Sequence, residues 1–301
     1  MSNVKAELQR KLKEYVERCG SQRKAADNLN VSPPLISRYL KGTYDGDIEK
    51  FEQKLEEMFT TAEAAENLAS KTITAEYVPT SISQAVFDTI HLCHLKGGIA
   101  IESGDAGIGK TMAAKQYIKE YPNSSIYISI NPCLATLSAC LKLICQKLRI
   151  STGRKDDMWI RICDALSGER KVLIIDEAQH LPVKTIEAVR AFIDADPTLG
   201  ICMIGNIATL SNNGNPAYAQ IQNRTKLTEI RHTKNITLDD IAMLCPRLKN
   251  KKELELMLRI AHSMQGIRGA VNVYSNALDN EDISYNGLRA MASAMQITTM
   301  N

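Results

Sequence analysis

No C-x-x-C pair occurs among the eight cysteines, which removes the usual signatures of zinc ribbons and dithiol redox sites. Cys202, inside the apolar run Ile201-Cys202-Met203-Ile204, reads like the other thiols as a free, buried side chain in a reducing compartment. No apolar run approaches the roughly 20 residues that span a bilayer, and the first residues lack the apolar centre of a signal peptide. The expectation is a cytoplasmic protein with no membrane partner. Aromatic residues make up only 5% of the chain, so its cores must be largely aliphatic. Net charge is only +3 over 301 residues, so bulk charge announces no polyanionic partner, and a nucleic-acid surface would have to be local.

What the chain does have is Gly104-Asp105-Ala106-Gly107-Ile108-Gly109-Lys110-Thr111, a complete G-x-x-x-x-G-K-T phosphate loop. Its glycines let successive backbone N–H groups turn inward toward phosphate oxygens. The helix expected from Met112 to Tyr121 adds its positive N-terminal end. Lys110 can reach the β- and γ-phosphates of ATP, and the Thr111 hydroxyl can hold Mg²⁺. The apolar run Ile99-Ala100-Ile101 supplies the preceding strand. Further on, Val172-Leu173-Ile174-Ile175-Asp176-Glu177 reads as a strand buried on both faces, as in a parallel sheet, that ends in two acids. At the carboxyl end of such a sheet Asp176 is suited to Mg²⁺ and Glu177 to polarising the attacking water. Ile201 to Gly205 forms another strand and delivers Asn206 to the same end, and Ser125 to Ile130 supplies one more.

The first 60 residues read as a small helical unit. Val4, Leu8, Leu12, Tyr15 and Val16 recur at helical spacing. A helix over Ser21–Leu29 is followed by Asn30 at a turn, and Ser32 with Pro33 opens another helix that stops near Gly42. Small Ala26, turn Asn30 and inward Ile36 fit the helix-turn-helix pattern, and the segment resembles the DNA-binding domains of phage repressors. A groove-docked pose would present Ser37, Arg38 and Lys41 to DNA. Residues 61–95 read as a linker and a lead-in helix; residues 61–95 hold one cation, Lys71, against Glu63, Glu66, Glu76 and Asp88. Residues 96–234 form the nucleotide-binding core, and 235–301 a helical C-terminal domain.

Loop, acidic strand and polar sensor strand in this order resemble the AAA+ ATPases. That resemblance implies an α/β fold, a parallel sheet flanked by helices with a small helical lid. It also implies assembly in which Arg224 of one subunit completes the site of the next. Lids of that family often carry an Arg in a G-x-x-R setting; here Gly269-Ala270-Val271-Asn272 puts Asn272 there, with Arg268 out of register.

The combination of a repressor-like N-terminal domain with a minimal AAA+ core resembles the B proteins of Mu-type phage transposition. The likeness is carried by Leu35-Ile36-Ser37, the phosphate loop, Ile174-Ile175-Asp176-Glu177-Ala178-Gln179-His180-Leu181 and Met203-Ile204-Gly205-Asn206. It implies an ATPase that binds double-stranded DNA with little sequence preference, assembles into an ATP-dependent helical oligomer, and delivers target DNA to a DDE transposase. Arg154 and Lys155 match a basic pair that touches DNA phosphates in that family. Three alternatives share parts of the pattern: a helicase loader or initiator ATPase, a helix-turn-helix transcription regulator with an ATP-sensing module, and a small-molecule kinase.

Overall fold

A computed structural model describes residues 2–71, 77–206 and 225–297, in two compact units, residues 1–74 and 75–301. Unit 1 contains α1 (Ser2–Cys19), α2 (Gln22–Leu29), α3 (Pro33–Leu40) and α4 (Ile48–Lys71). The Ser21 hydroxyl caps α2 by accepting from the Lys24 N–H, an interaction of about 1 kcal/mol. Asn30 ends α2 in the left-handed region at φ 51°, the turn expected between the two helices. Ser32 occupies the cap position of α3 in extended backbone, but its side chain makes no capping bond. Leu8, Leu12, Ala26, Leu29, Ile36, Phe51, Leu55 and Phe59 form the core. Tyr39 packs edge-on against Phe51 at 5.1 Å and donates its hydroxyl to Glu52.

The polar stretch from residue 61 onward, expected to be linker, is instead helix as far as Lys71. The Ala and Glu that made it look featureless are strong helix formers, so α4 continues where the apolar pattern weakens.

Unit 2 opens with α5 (Ser81–Lys96) and β1 (Gly98–Gly104), followed by α6 (Lys110–Glu120) and β2 (Ser125–Ser129). Then come α7 (Leu137–Leu148), α8 (Lys155–Leu166), β3 (Val172–Asp176), α9 (Val183–Ala195), β4 (Gly200–Gly205) and β5 (Thr225–Arg231). The strands form one sheet in the order β2-β3-β4-β1-β5, every neighbouring pair parallel. Period-two alternation sends side chains to two cores. Ala100, Ile174, Cys202 and Ile204 face α5, α6 and the C-terminal helices. Ile101, Leu173, Ile175, Ile201 and Met203 face α7, α8 and α9. The edge strand β5 was not foreseen. Its residues alternate exposed with half-buried, and its charges Lys226, Glu229 and Arg231 mask the pattern of a strand.

After β5 the chain is helical, as expected: α10 (Leu238–Leu244), α11 (Lys251–Ala261), α12 (Gly266–Asp279) and α13 (Tyr285–Ala294). Gly266, at φ 63°, starts α12 three residues before Gly269, where the sequence suggested it began. Ser81 ties this lid to α5, donating its N–H and hydroxyl to the two oxygens of Asp240 at 2.6 and 2.7 Å. Among the described residues, no helix is long and apolar enough to cross a membrane.

Candidate nucleotide site

β1 runs straight into the phosphate loop, and α6 begins at Lys110 with Gly109 as its cap. Gly107 and Gly109 lie at φ 73° and 101°, where a side chain would strain the backbone. Gly107 has a second requirement: a Cβ there would run into the Gln265 carbonyl just before α12. The lid therefore seats directly on the loop, and the Arg268 N–H donates to the Gly107 carbonyl at 3.1 Å. Gly266 and Arg268 of α12 thus lie at the loop, with exposed Asn272 one turn past Arg268.

The other side of the loop is held by β5 and the turn after it. The Asp105 N–H donates to the Arg231 carbonyl at 3.0 Å. The Asp105 carboxylate accepts from the Thr233 N–H at 2.8 Å, and the His232 ring lies 3.7 Å from it. Beneath, Glu102 of β1 is fully buried and bonded by the Arg231 guanidinium at 3.2 and 3.4 Å. Burial raises the Glu102 pKa, against which Arg231 and Thr89 stabilise its ionised form.

Lys110 folds back over the loop and donates to the carbonyls of Gly104 (2.9 Å) and Asp105 (2.7 Å). Burial pulls its ammonium below the ordinary lysine value, while Asp176, Glu177, Asp105 and Glu102 pull it back up. Thr111 donates its hydroxyl to Asp176 Oδ2 at 2.8 Å, closing the loop onto the end of β3. The same oxygen accepts from the Tyr127 hydroxyl at 2.8 Å, and Oδ1 accepts from the Glu177 N–H. Tyr127 stays protonated because burial and the Asp176 charge both raise its pKa. A hydroxyl and a carboxylate side by side suit a hard divalent cation bound partly through water, so Thr111 and Asp176 fit Mg²⁺.

Glu177 is exposed and sits in the left-handed region at φ 55°, an unusual backbone for a residue with a side chain. Gln179 donates its amide to Glu177 Oε2 at 2.5 Å, and its carbonyl oxygen accepts from the Asn206 N–H at 3.2 Å. The structure therefore brings together Gly104, Asp105, Ala106, Gly107, Ile108, Gly109, Lys110, Thr111, Asp176, Glu177 and Asn206. Arg224 lies outside the described residues. Sequence reasoning assigned no role to Tyr127, Gln179 or the Glu102–Arg231 pair; only a carboxylate inside the apolar run before the loop hinted at the last.

The candidate DNA residues are exposed or half-buried. Ser37 of α3 and Lys41, just past its end, line a groove of about 620 Å³ with Gln9, Arg10 and Lys13 of α1. Arg154 caps α8, is engaged by Asp156 at 3.0 Å, and precedes Lys155, so two acids of the first turn offset this basic pair.

A profile of the AAA domain matches residues 94–210. The Mu-like prophage FluMu DNA transposition protein B of Haemophilus influenzae is 27% identical, over 85% of this chain and 90% of its own. The ATP-dependent target DNA activators B of Escherichia phages Mu and D108 are each 28% identical, over 79% of this chain and 77% of theirs. Among solved structures, the Aeropyrum pernix ORC2 protein superimposes with a TM-score of 0.54 at 14% identity, covering 72% of this chain and 68% of that one. Cdc6p from Pyrobaculum aerophilum gives 0.52 at 16%, covering 75% and 70%, and these two likenesses concern the fold alone. The chain carries an AAA domain on a P-loop α/β fold and is similar, over most of its length, to the Mu-type transposition B proteins.

Proposed function

We propose that this protein is an ATP-dependent DNA-binding ATPase that selects target DNA for transposition and presents it to a DDE transposase in the host cytoplasm. The observation that carries the reading is the extent of the similarity. It covers 79–85% of this chain and 77–90% of the relatives, so it extends well past the AAA match at residues 94–210.

An arriving triphosphate replaces the Gly104 and Asp105 carbonyls as partner of Lys110, while the loop N–H groups and the α6 terminus take up its charge. Thr111 and Asp176 would hold Mg²⁺, directly or through water, and the cation would supply charge neutralisation on the phosphate oxygens. Glu177 accepts a proton from the attacking water, and Asn206 orients the γ-phosphate end. Arg224, a reading from sequence alone, comes from the neighbouring subunit and makes assembly depend on ATP. Repetition along a helical oligomer multiplies weak phosphate contacts from Arg154, Lys155, Ser37, Arg38 and Lys41. A chain of small net charge thereby holds duplex DNA without sequence preference, and hydrolysis releases it.

The test is DNA binding with ATP, ADP or no nucleotide, on unrelated duplexes of increasing length across a salt series, followed by negative-stain imaging. Binding that requires ATP, grows with length and ignores sequence, with visible filaments, supports the proposal. Binding to one short site regardless of nucleotide would overturn it in favour of a site-specific regulator.

A further inference from the structure

Gln179 lies in neither the loop nor the acidic pair, yet its carboxamide bonds both Glu177 and the residue at the end of β4. Its orientation is fixed by chemistry. A carboxylate only accepts and a backbone N–H only donates, so Nε2 must face Glu177 and Oε1 must face Asn206. The fit is tight on the β4 side, where a Cβ at Gly205 would fall on the Gln179 carboxamide. Gly205 lies at the end of a fully buried strand, and its lack of a side chain makes room for that contact.

We propose that Gln179 is a positioning residue that couples the base to the sensor. It holds Glu177 by one oxygen, leaves the other free for water, and takes its own position from the main chain at Asn206. A shift of Asn206 toward a bound γ-phosphate is then passed through one rigid amide to the carboxylate that activates water. The left-handed backbone of Glu177 gives this tie its purpose. An exposed acid on such a turn has few contacts to choose its rotamer, and Gln179 supplies one. The inference rests on the reading of Glu177 as the base.

The experiment compares full-length wild type, Glu177→Gln, Gln179→Ala and Gln179→Glu. Steady-state ATP hydrolysis with Mg²⁺, with and without duplex DNA, is measured beside the affinity for a fluorescent ATP analogue and the melting temperature. Gln179→Glu retains an oxygen to accept from the Asn206 N–H but loses the donor to Glu177 and sets a like charge against it. A residue that merely supports β4 would therefore tolerate it. The expected result is a kcat lowered about 10-fold or more in both Gln179 variants, a part of the ~10²–10⁴ that general-base catalysis contributes. Nucleotide affinity should stay within about twofold, since binding lies with the loop. Wild-type kcat in Gln179→Glu would overturn the inference, as would a parallel loss of affinity and melting temperature in both variants. If Glu177→Gln itself hydrolyses ATP normally, the base assignment fails, which is a separate outcome.

Discussion

Replacing Arg231 by Met leaves Glu102, on the strand next to the edge of the sheet, as a buried carboxylate without its cationic partner. In the native protein Glu102 is fully buried, and the guanidinium of Arg231 offsets the loss of water around it. Removing one partner of such a pair destabilises by about 3–5 kcal/mol. For a unit spanning residues 75–301, that is roughly 6–20 °C in melting temperature, at about 2–4 °C per kcal/mol. The deficit must also depend on pH. Glu102 has a raised pKa in the folded protein, because burial favours the neutral acid, and the substitution raises it further. Protonation therefore stabilises the folded variant: its deficit is smallest below the unfolded-state pKa of about 4.3. It grows as pH rises through the folded-state value. Thermal melting followed by circular dichroism at pH 5 and pH 8 reads both effects, and Glu102→Gln added to Arg231→Met should recover much of the loss at pH 8. A deficit under about 1 kcal/mol at pH 8, or one equal at both pH values, would refute the argument that Arg231 compensates a buried charge.

Lys110→Ala should abolish binding of a fluorescent ATP analogue while leaving the melting temperature nearly unchanged, since its present partners are two loop carbonyls. Gly107→Ala should also abolish nucleotide binding, by another route and with a lowered melting temperature, forcing apart the loop and the start of α12; hydrogen exchange of α12 should then rise. Thr111→Ala should retain Mg²⁺-free nucleotide binding and lose the enhancement that Mg²⁺ gives, measured by titrating the metal at fixed nucleotide. Arg38→Ala with Lys41→Ala should weaken DNA binding on all sequences alike and lower the salt slope by about 2, if each removes one phosphate contact.

Much of unit 2 was legible because buried parallel strands announce themselves. Ile99–Ile101, Val172–Ile175 and Ile201–Ile204 are apolar on both faces, Ile126–Ile130 alternates apolar with polar, and each lies in or beside a strand of the sheet. The phosphate loop was legible because its glycines and Lys110-Thr111 are spaced by local backbone geometry. What sequence could not give was whatever depends on strand order. Tyr127 meets Asp176 only because β2 pairs with β3 in the register Tyr127↔Ile174. Arg231 meets Glu102 only because β5 pairs with β1, and nothing local marks β5 as a strand. The place of Arg268 was obscured for a similar reason: α12 starts at Gly266, which moves its first turn onto the loop.

The strand order also dictates when this protein can first exist during synthesis. β1 pairs only with β4 and β5, both made long after it. At about 5–20 residues per second, the strand leading into the phosphate loop waits roughly 5–20 s for β4 to emerge. During that interval Ile99, Ala100 and Ile101 have no sheet to enter, and chaperones have their longest access to the chain. A nascent chain stalled before residue 231 would carry the whole loop motif and still lack the Arg231 and Thr233 contacts that hold Asp105. Ribosome-bound fragments of increasing length should therefore gain nucleotide binding late and abruptly, once β5 and the turn after it have left the exit tunnel.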